Sequence, residues 1–217
     1  TSALNDRARA SLSDDDRQPW NISRSTSGDE TALDAYFPFG KALEAWGRSF
    51  ARMGIRYRGS TMTLDLLERP NKYSNGFCHW PRCAYVRRDH SLRPSLTNFT
   101  SLCDPLQTGS GRVALKTLMH EAGHAAHFAN VTQESPLFAQ ERAPTSVAYA
   151  ETQAMFLDSL VSDASWRCRY ALNASGERLP FALHEADVRS RHPYQVFQLR
   201  ALLAVPYFEK ALYEHSD

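Results

Sequence analysis

Between Thr145 and Asp163 the sequence TSVAYAETQAMFLDSLVSD has helical periodicity, with Val147, Ala150, Ala154, Leu157 and Val161 on one apolar stripe and the carboxylates Glu151 and Asp158 inside it. Few features constrain a fold more. Two carboxylates on a core-facing stripe are costly unless they are paired, hydrogen-bonded or bound to a cation, so the rest of the chain must bring them a partner. One stands upstream: His120-Glu121-Ala122-Gly123-His124 fits the pattern HExxH and lies in a second periodic stretch, Val113 to Asn130. On a helix, residues four apart share a face about 6 Å apart, so both imidazoles can reach one metal ion while Glu121 points at that ion's open position.

A catalytic zinc usually takes three protein ligands and leaves the fourth place to water. A metzincin would carry Gly at position 127 and His at position 130; this chain has His127 and Asn130, which excludes that subclass. The third ligand is therefore expected from a following helix, and Glu151 is the candidate, with enough chain after His124 for a turn and an antiparallel return. Asp158, two turns beyond Glu151 on the same face, is expected to orient a ligand imidazole. His127 lies at or near the metal face and is read as a packing or hydrogen-bonding side chain ahead of a ligand. The competing readings are a pair of satisfied core histidines and a buried salt bridge from Glu151 to an arginine such as Arg142.

The surrounding pattern predicts an α+β fold that is mostly helical. Tyr36, Phe39, Leu43, Trp46 and Phe50 recur at three- and four-residue steps, which predicts a helix over Thr31 to Met53 ended by Gly54. Ile55 to Leu67, Phe77 to Val86 and Ser95 to Leu102 read as strands of a small sheet, and helical periodicity returns from Tyr194 to the end. Residues 1–28 are polar and turn-rich and read as an arm, leaving 29–217 as the core. The 217 residues suffice for one or two domains. Because the chain starts at Thr1 rather than Met, it is expected to be a piece of a larger protein.

Composition narrows the partners. With 25 Lys and Arg against 24 Asp and Glu, no field of one sign attracts nucleic acid or an anionic membrane, and no apolar run approaches the ~20 residues of a membrane helix. Cys78, Cys83, Cys103 and Cys168 are too few and too irregular for a disulfide scaffold, so reduced, mostly buried thiols are expected. With no targeting segment legible at the N-terminus, the expected location is cytoplasmic.

TLMHEAGHAAH (Thr117 to His127) followed by YAETQAMFLDSL (Tyr149 to Leu160) resembles the thimet oligopeptidase and oligoendopeptidase F family of zinc peptidases. The upstream LDLLERPNKYSNGF (Leu64 to Phe77) and LTNFT (Leu96 to Thr100) resemble the strand segments that precede the metal helix in that family. The resemblance implies a zincin-like core, one Zn2+ per chain, short peptides as substrates, and a channel completed by other parts of a larger peptidase chain. It places His120 and His124 on the imidazole ligands, Glu121 on the general base and Glu151 on the carboxylate ligand. Asp158 falls where the family usually carries a longer Glu. Tyr207, Tyr213 and His215 do not reproduce the family's substrate-binding segment, and nothing is carried onto them.

The expected activity is thus metal-assisted peptide hydrolysis, with Glu121 activating a water and a peptide lying as an added strand along an edge such as Ser74 to Cys78. The alternative is a metal-binding module that is catalytically incomplete without an oxyanion donor from elsewhere. A third reading, a helical interaction protein, predicts no metal at all.

Overall fold

The computed structural model describes residues 6, 10, 12–15, 18, 31–73, 76–104, 106, 110–137, 146–192 and 195–215. The arm expected over 1–28 lies for most of its length outside the described residues, as do Ser74, Asn75, Arg142, Thr145 and Tyr194. The chain divides into two compact units, one formed by Leu33–Pro180 and the other by Thr1–Ala32 with Phe181–Asp217. All the candidate site residues belong to the first.

In that unit, strands β1 (Thr61–Leu67), β2 (Phe77–Arg82), β3 (Ala84–Val86), β4 (Leu92–Arg93), β5 (Leu96–Cys103) and β6 (Thr132–Gln133) accompany helices α1 (Ala42–Arg52), α2 (Ser110–Asn130), α3 (Val147–Ser159) and α4 (Ala164–Tyr170). The strands form two three-stranded sheets rather than one, in the orders β1-β5-β2 and β4-β3-β6. In the first, β1 runs parallel to β5 with Thr61 opposite Leu96, and β2 runs antiparallel to it with Phe77 opposite Thr100. Central β5 buries Thr97, Phe99, Ser101 and Cys103, the alternate positions of one face. Helix α2 packs on this sheet and is also contacted by α1 and α3.

The central place of α2 follows from its composition. Leu118, Met119, Ala122, Ala125, Ala126 and Ala129 are at most 3% exposed. Full burial of a Leu or Met side chain contributes about 1.5–3 kcal/mol, and the alanines let neighbouring elements approach closely. Gly123 takes this furthest: a Cβ there would stand 3.0 Å from Leu157 Cδ1 and 3.2 Å from Ala154 Cα, so its bare backbone sets how closely α2 and α3 lie.

The helix expected over Thr31 to Met53 is broken. Pro38 has no amide to donate and disfavours helical geometry at Phe37, so a four-residue helical turn (Thr31–Asp34) and a 3-10 turn (Phe39–Lys41) precede α1. Its buried face is Ala42, Ala45, Ser49 and Phe50, whereas Leu43 is exposed. Gly54 ends it as expected, with φ +80° and its N–H donating to Ala51. Helix α4 was not anticipated; the side chain of Asp163 caps it by accepting from the Trp166 N–H at 2.8 Å. Cys78, Cys83 and Cys103 are buried free thiols, and Cys168 is free and half-buried.

The second unit contains α5 (Phe181–Arg191), also unanticipated, and α6 (Gln195–Glu214), which matches the C-terminal periodicity. Within α5, Arg191 holds Asp187 by two hydrogen bonds. Among the described residues no helix is long and apolar enough to cross a membrane.

Candidate metal centre

His120 and His124 lie one turn apart on α2, their rings 4.8 Å apart and nearly perpendicular. From α3, Glu151 reaches across to both: Oε2 lies 3.3 Å from His120 Nε2 and Oε1 lies 3.6 Å from His124 Nε2. One donor atom from each of the three residues falls within 4.8 Å of the others, so this group can hold a metal ion. The spacing suits one. Around a four-coordinate ion with bonds of ~2.0–2.1 Å, neighbouring donors stand about 3.3 Å apart.

The protonation pattern points the same way. Asp158 Oδ2 lies 2.9 Å from His120 Nδ1 and, as an ionised acceptor, fixes the ring proton there. In the neutral ring Nε2 then presents a lone pair to the Glu151 carboxylate, an arrangement that calls for a second proton or a cation between them. The imidazole answers to this surrounding: the hydrogen bond to Asp158 raises its pKa above the ordinary value, against burial, with Glu121, Asp158 and Glu151 adding to the rise. His124 moves the other way, chiefly through burial, and its Nδ1 is buried without a hydrogen bond.

Glu121 is 5% exposed, and its Oε2 is buried without a hydrogen-bond partner. Burial raises its pKa to about 7; His120 opposes the rise and Glu151 adds to it. A carboxyl poised there can exchange a proton near neutrality, and a dication at the three donors would draw its pKa back down. Gly76 permits this crowding. A Cβ at residue 76 would meet Thr117 Cγ2 at 2.4 Å, the Thr100 carbonyl at 3.0 Å and Glu121 Oε1 at 3.3 Å, so only glycine lets the start of β2 pass over the carboxylate.

The donors open onto a cleft of about 270 Å³ between β2 and α2, whose apolar wall includes Phe77, Cys78, Trp80, Phe128, Val147 and Ala150. Trp80 and Phe128 stack 4.5 Å apart and nearly parallel. The apolar stripe running from α3 into the 3-10 turn after it (Leu160–Ser162) is thus split: Ala154, Leu157 and Val161 are in the core, while Val147 is 72% exposed and Glu151 half-exposed. Its first turn faces the cleft and not the core, which is why the carboxylate is reachable.

His127 is not part of the donor group. Its ring is buried, stands edge-on to Tyr149 at 5.4 Å, and is held below its usual pKa by burial. Of the edge expected at Ser74 to Cys78, Gly76, Phe77 and Cys78 line the cleft. Phe128 and Lys116 were missed as lining residues, although each stands one helical turn from a candidate ligand, at i+4 from His124 and i−4 from His120. Trp80, also missed, carries no such local signal.

The described residues define a mostly helical α+β protein in which two neighbouring helices present two imidazoles and a carboxylate able to hold a metal ion. No protein-family model matches the sequence, and no curated protein matches it either.

Proposed function

We propose that this chain carries the zinc centre of a zincin-like metallopeptidase acting on short peptides, of the kind found in the thimet oligopeptidase and oligoendopeptidase F family. The observation that carries the reading is the convergence of His120, His124 and Glu151 beside a buried carboxyl, Glu121, whose Oε2 has no hydrogen-bond partner. Zinc bound by those three residues would supply Lewis-acid chemistry, acidifying water and polarising an amide carbonyl. Glu121 takes a proton from the attacking water and delivers it to the departing amine nitrogen, as a C–O bond forms and the C–N bond breaks. Asp158 holds His120 in the tautomer that leaves Nε2 free. The substrate lies in the cleft along β2, the outer strand of its sheet, with main-chain pairing reading extension rather than sequence.

A second reading, a metal-binding module that is incomplete as a catalyst, is favoured by the cleft wall: among the described lining residues there is no tyrosine or arginine to stabilise an oxyanion. Loss of one such donor costs on the order of 10²–10³ in rate.

Elemental analysis of the wild type and of Glu151→Ala, with a quenched-fluorescence peptide assay run with and without chelator, tests both readings. Peptidase action requires about one zinc per chain, lost in Glu151→Ala, and chelator-sensitive cleavage. Zinc without cleavage selects the incomplete module, and absence of zinc after dialysis against the metal refutes both.

A further inference from the structure

The cleft continues past the donors. Gly76, His120 and Glu121 also line a second space of about 330 Å³, whose other walls are Lys116, Thr117 and Asp158. The two spaces extend in opposite directions along α2, one toward His124 and Phe128, the other toward Lys116. Strand β2 runs alongside, since Gly76 lies against Thr117 and Glu121 while Trp80 stacks on Phe128. From Lys116 to Phe128 the helix rises roughly 18 Å at 1.5 Å per residue, the length of about five residues of extended peptide.

The two ends differ in chemistry. One is aromatic and aliphatic, while the other holds Lys116, the one lysine or arginine among the described lining residues. Lys116 is exposed and has no hydrogen-bond or ion-pair partner among the described residues. The carboxylates Glu121, Glu151 and Asp158 line the centre of the cleft, so the end that carries Lys116 is where a substrate anion meets a positive side chain. Five residues before Glu121, Lys116 stands about 7.5 Å along the helix axis, or roughly two residues of extended chain.

Resting on the peptidase reading above, we infer that Lys116 is a specificity-determining residue that binds a substrate carboxylate about two residues from the scissile bond. The carboxylate is either the peptide's C-terminus or an acidic side chain. The neighbouring space selects an apolar residue on the other side of that bond.

Binding tests this without depending on turnover. In the zinc-loaded 217-residue chain carrying Glu121→Gln, calorimetry would compare a blocked five-residue alanine–phenylalanine peptide as the free acid, as its C-terminal amide, and as the amide with glutamate in place of the last alanine. The acid, the glutamate amide or both should bind roughly fivefold more tightly than the plain amide, the size of a partly exposed ion pair. Which of them gains identifies the source of the carboxylate. Lys116→Met, a change at an exposed site, should abolish the preference, bringing the acid and the glutamate amide to the affinity of the plain amide. Equal affinities for all three peptides, or a preference that survives Lys116→Met, would overturn the assignment. If none binds although zinc is at one per chain, the peptide-cleft reading fails as well.

Discussion

Replacing Gly123 by alanine tests the helix pairing on which the candidate metal centre depends, because the same change at Gly47 supplies an internal control. Both glycines lie inside helices, where alanine is favoured by about 1 kcal/mol. At Gly47 an added Cβ meets nothing within 4 Å, so Gly47→Ala should stabilise the protein by about that amount. At Gly123 the Cβ would stand 3.0 Å from Leu157 Cδ1, which can rotate away, and 3.2 Å from Ala154 Cα, which cannot. Overpacking of this kind costs about 1–3 kcal/mol, so Gly123→Ala should range from neutral to about 2 kcal/mol less stable. At roughly 2–4 °C per kcal/mol, the two variants should melt about 2–12 °C apart, Gly47→Ala above the wild type and Gly123→Ala at or below it. Calorimetry or circular dichroism reads the difference. Relief of the clash moves α3 by a few tenths of an ångström one turn from Glu151, beyond the ±0.2 Å that metal–ligand distances tolerate. Zinc affinity, measured by chelator competition, should therefore fall in Gly123→Ala and hold in Gly47→Ala. If both variants gain stability equally and bind zinc alike, the spacing of α2 and α3 is not set at Gly123.

Other substitutions probe single roles. Glu121→Gln should keep about one zinc per chain by elemental analysis and lower peptide cleavage by on the order of 10²–10⁴; zinc loss in that variant would show that Glu121 is not acting as the base. Asp158→Asn replaces the carboxylate acceptor of the His120 proton with a neutral amide that can equally donate, and Asp158→Ala removes the acceptor. Each should weaken zinc binding, by about 10- to 100-fold for the alanine, read by the same chelator competition, with unchanged affinity in both excluding an orienting role. His127→Phe keeps the ring against Tyr149, so zinc stoichiometry should be preserved; a drop to zero would make His127 a ligand.

The local half of the site was legible because helix geometry alone relates His120, Glu121 and His124, and because carboxylates at Glu151 and Asp158 contradict the stripe they occupy. Both have polar partners across α2 and α3. What could not be read belongs to tertiary packing or to overlooked local chemistry. Pro38 stood in plain view and breaks the helix expected around it. Asp163 ends the periodic stretch that begins at Thr145, yet an Asp three residues before Trp166 is also the start signal of another helix. The parallel pairing of β1 with β5 joins residues some 35 positions apart, and no periodicity encodes such a neighbour. Gly76 shows the limit most clearly: in sequence it is a turn residue beside Asn75, and only the approach of Thr100, Thr117 and Glu121 from two other elements reveals why a side chain is excluded there. That one close approach brings β2 over the carboxylate and creates both spaces that meet at it. The donors were readable from their own helices, whereas the cleft that would present a substrate to them depends on a strand contact made across the fold.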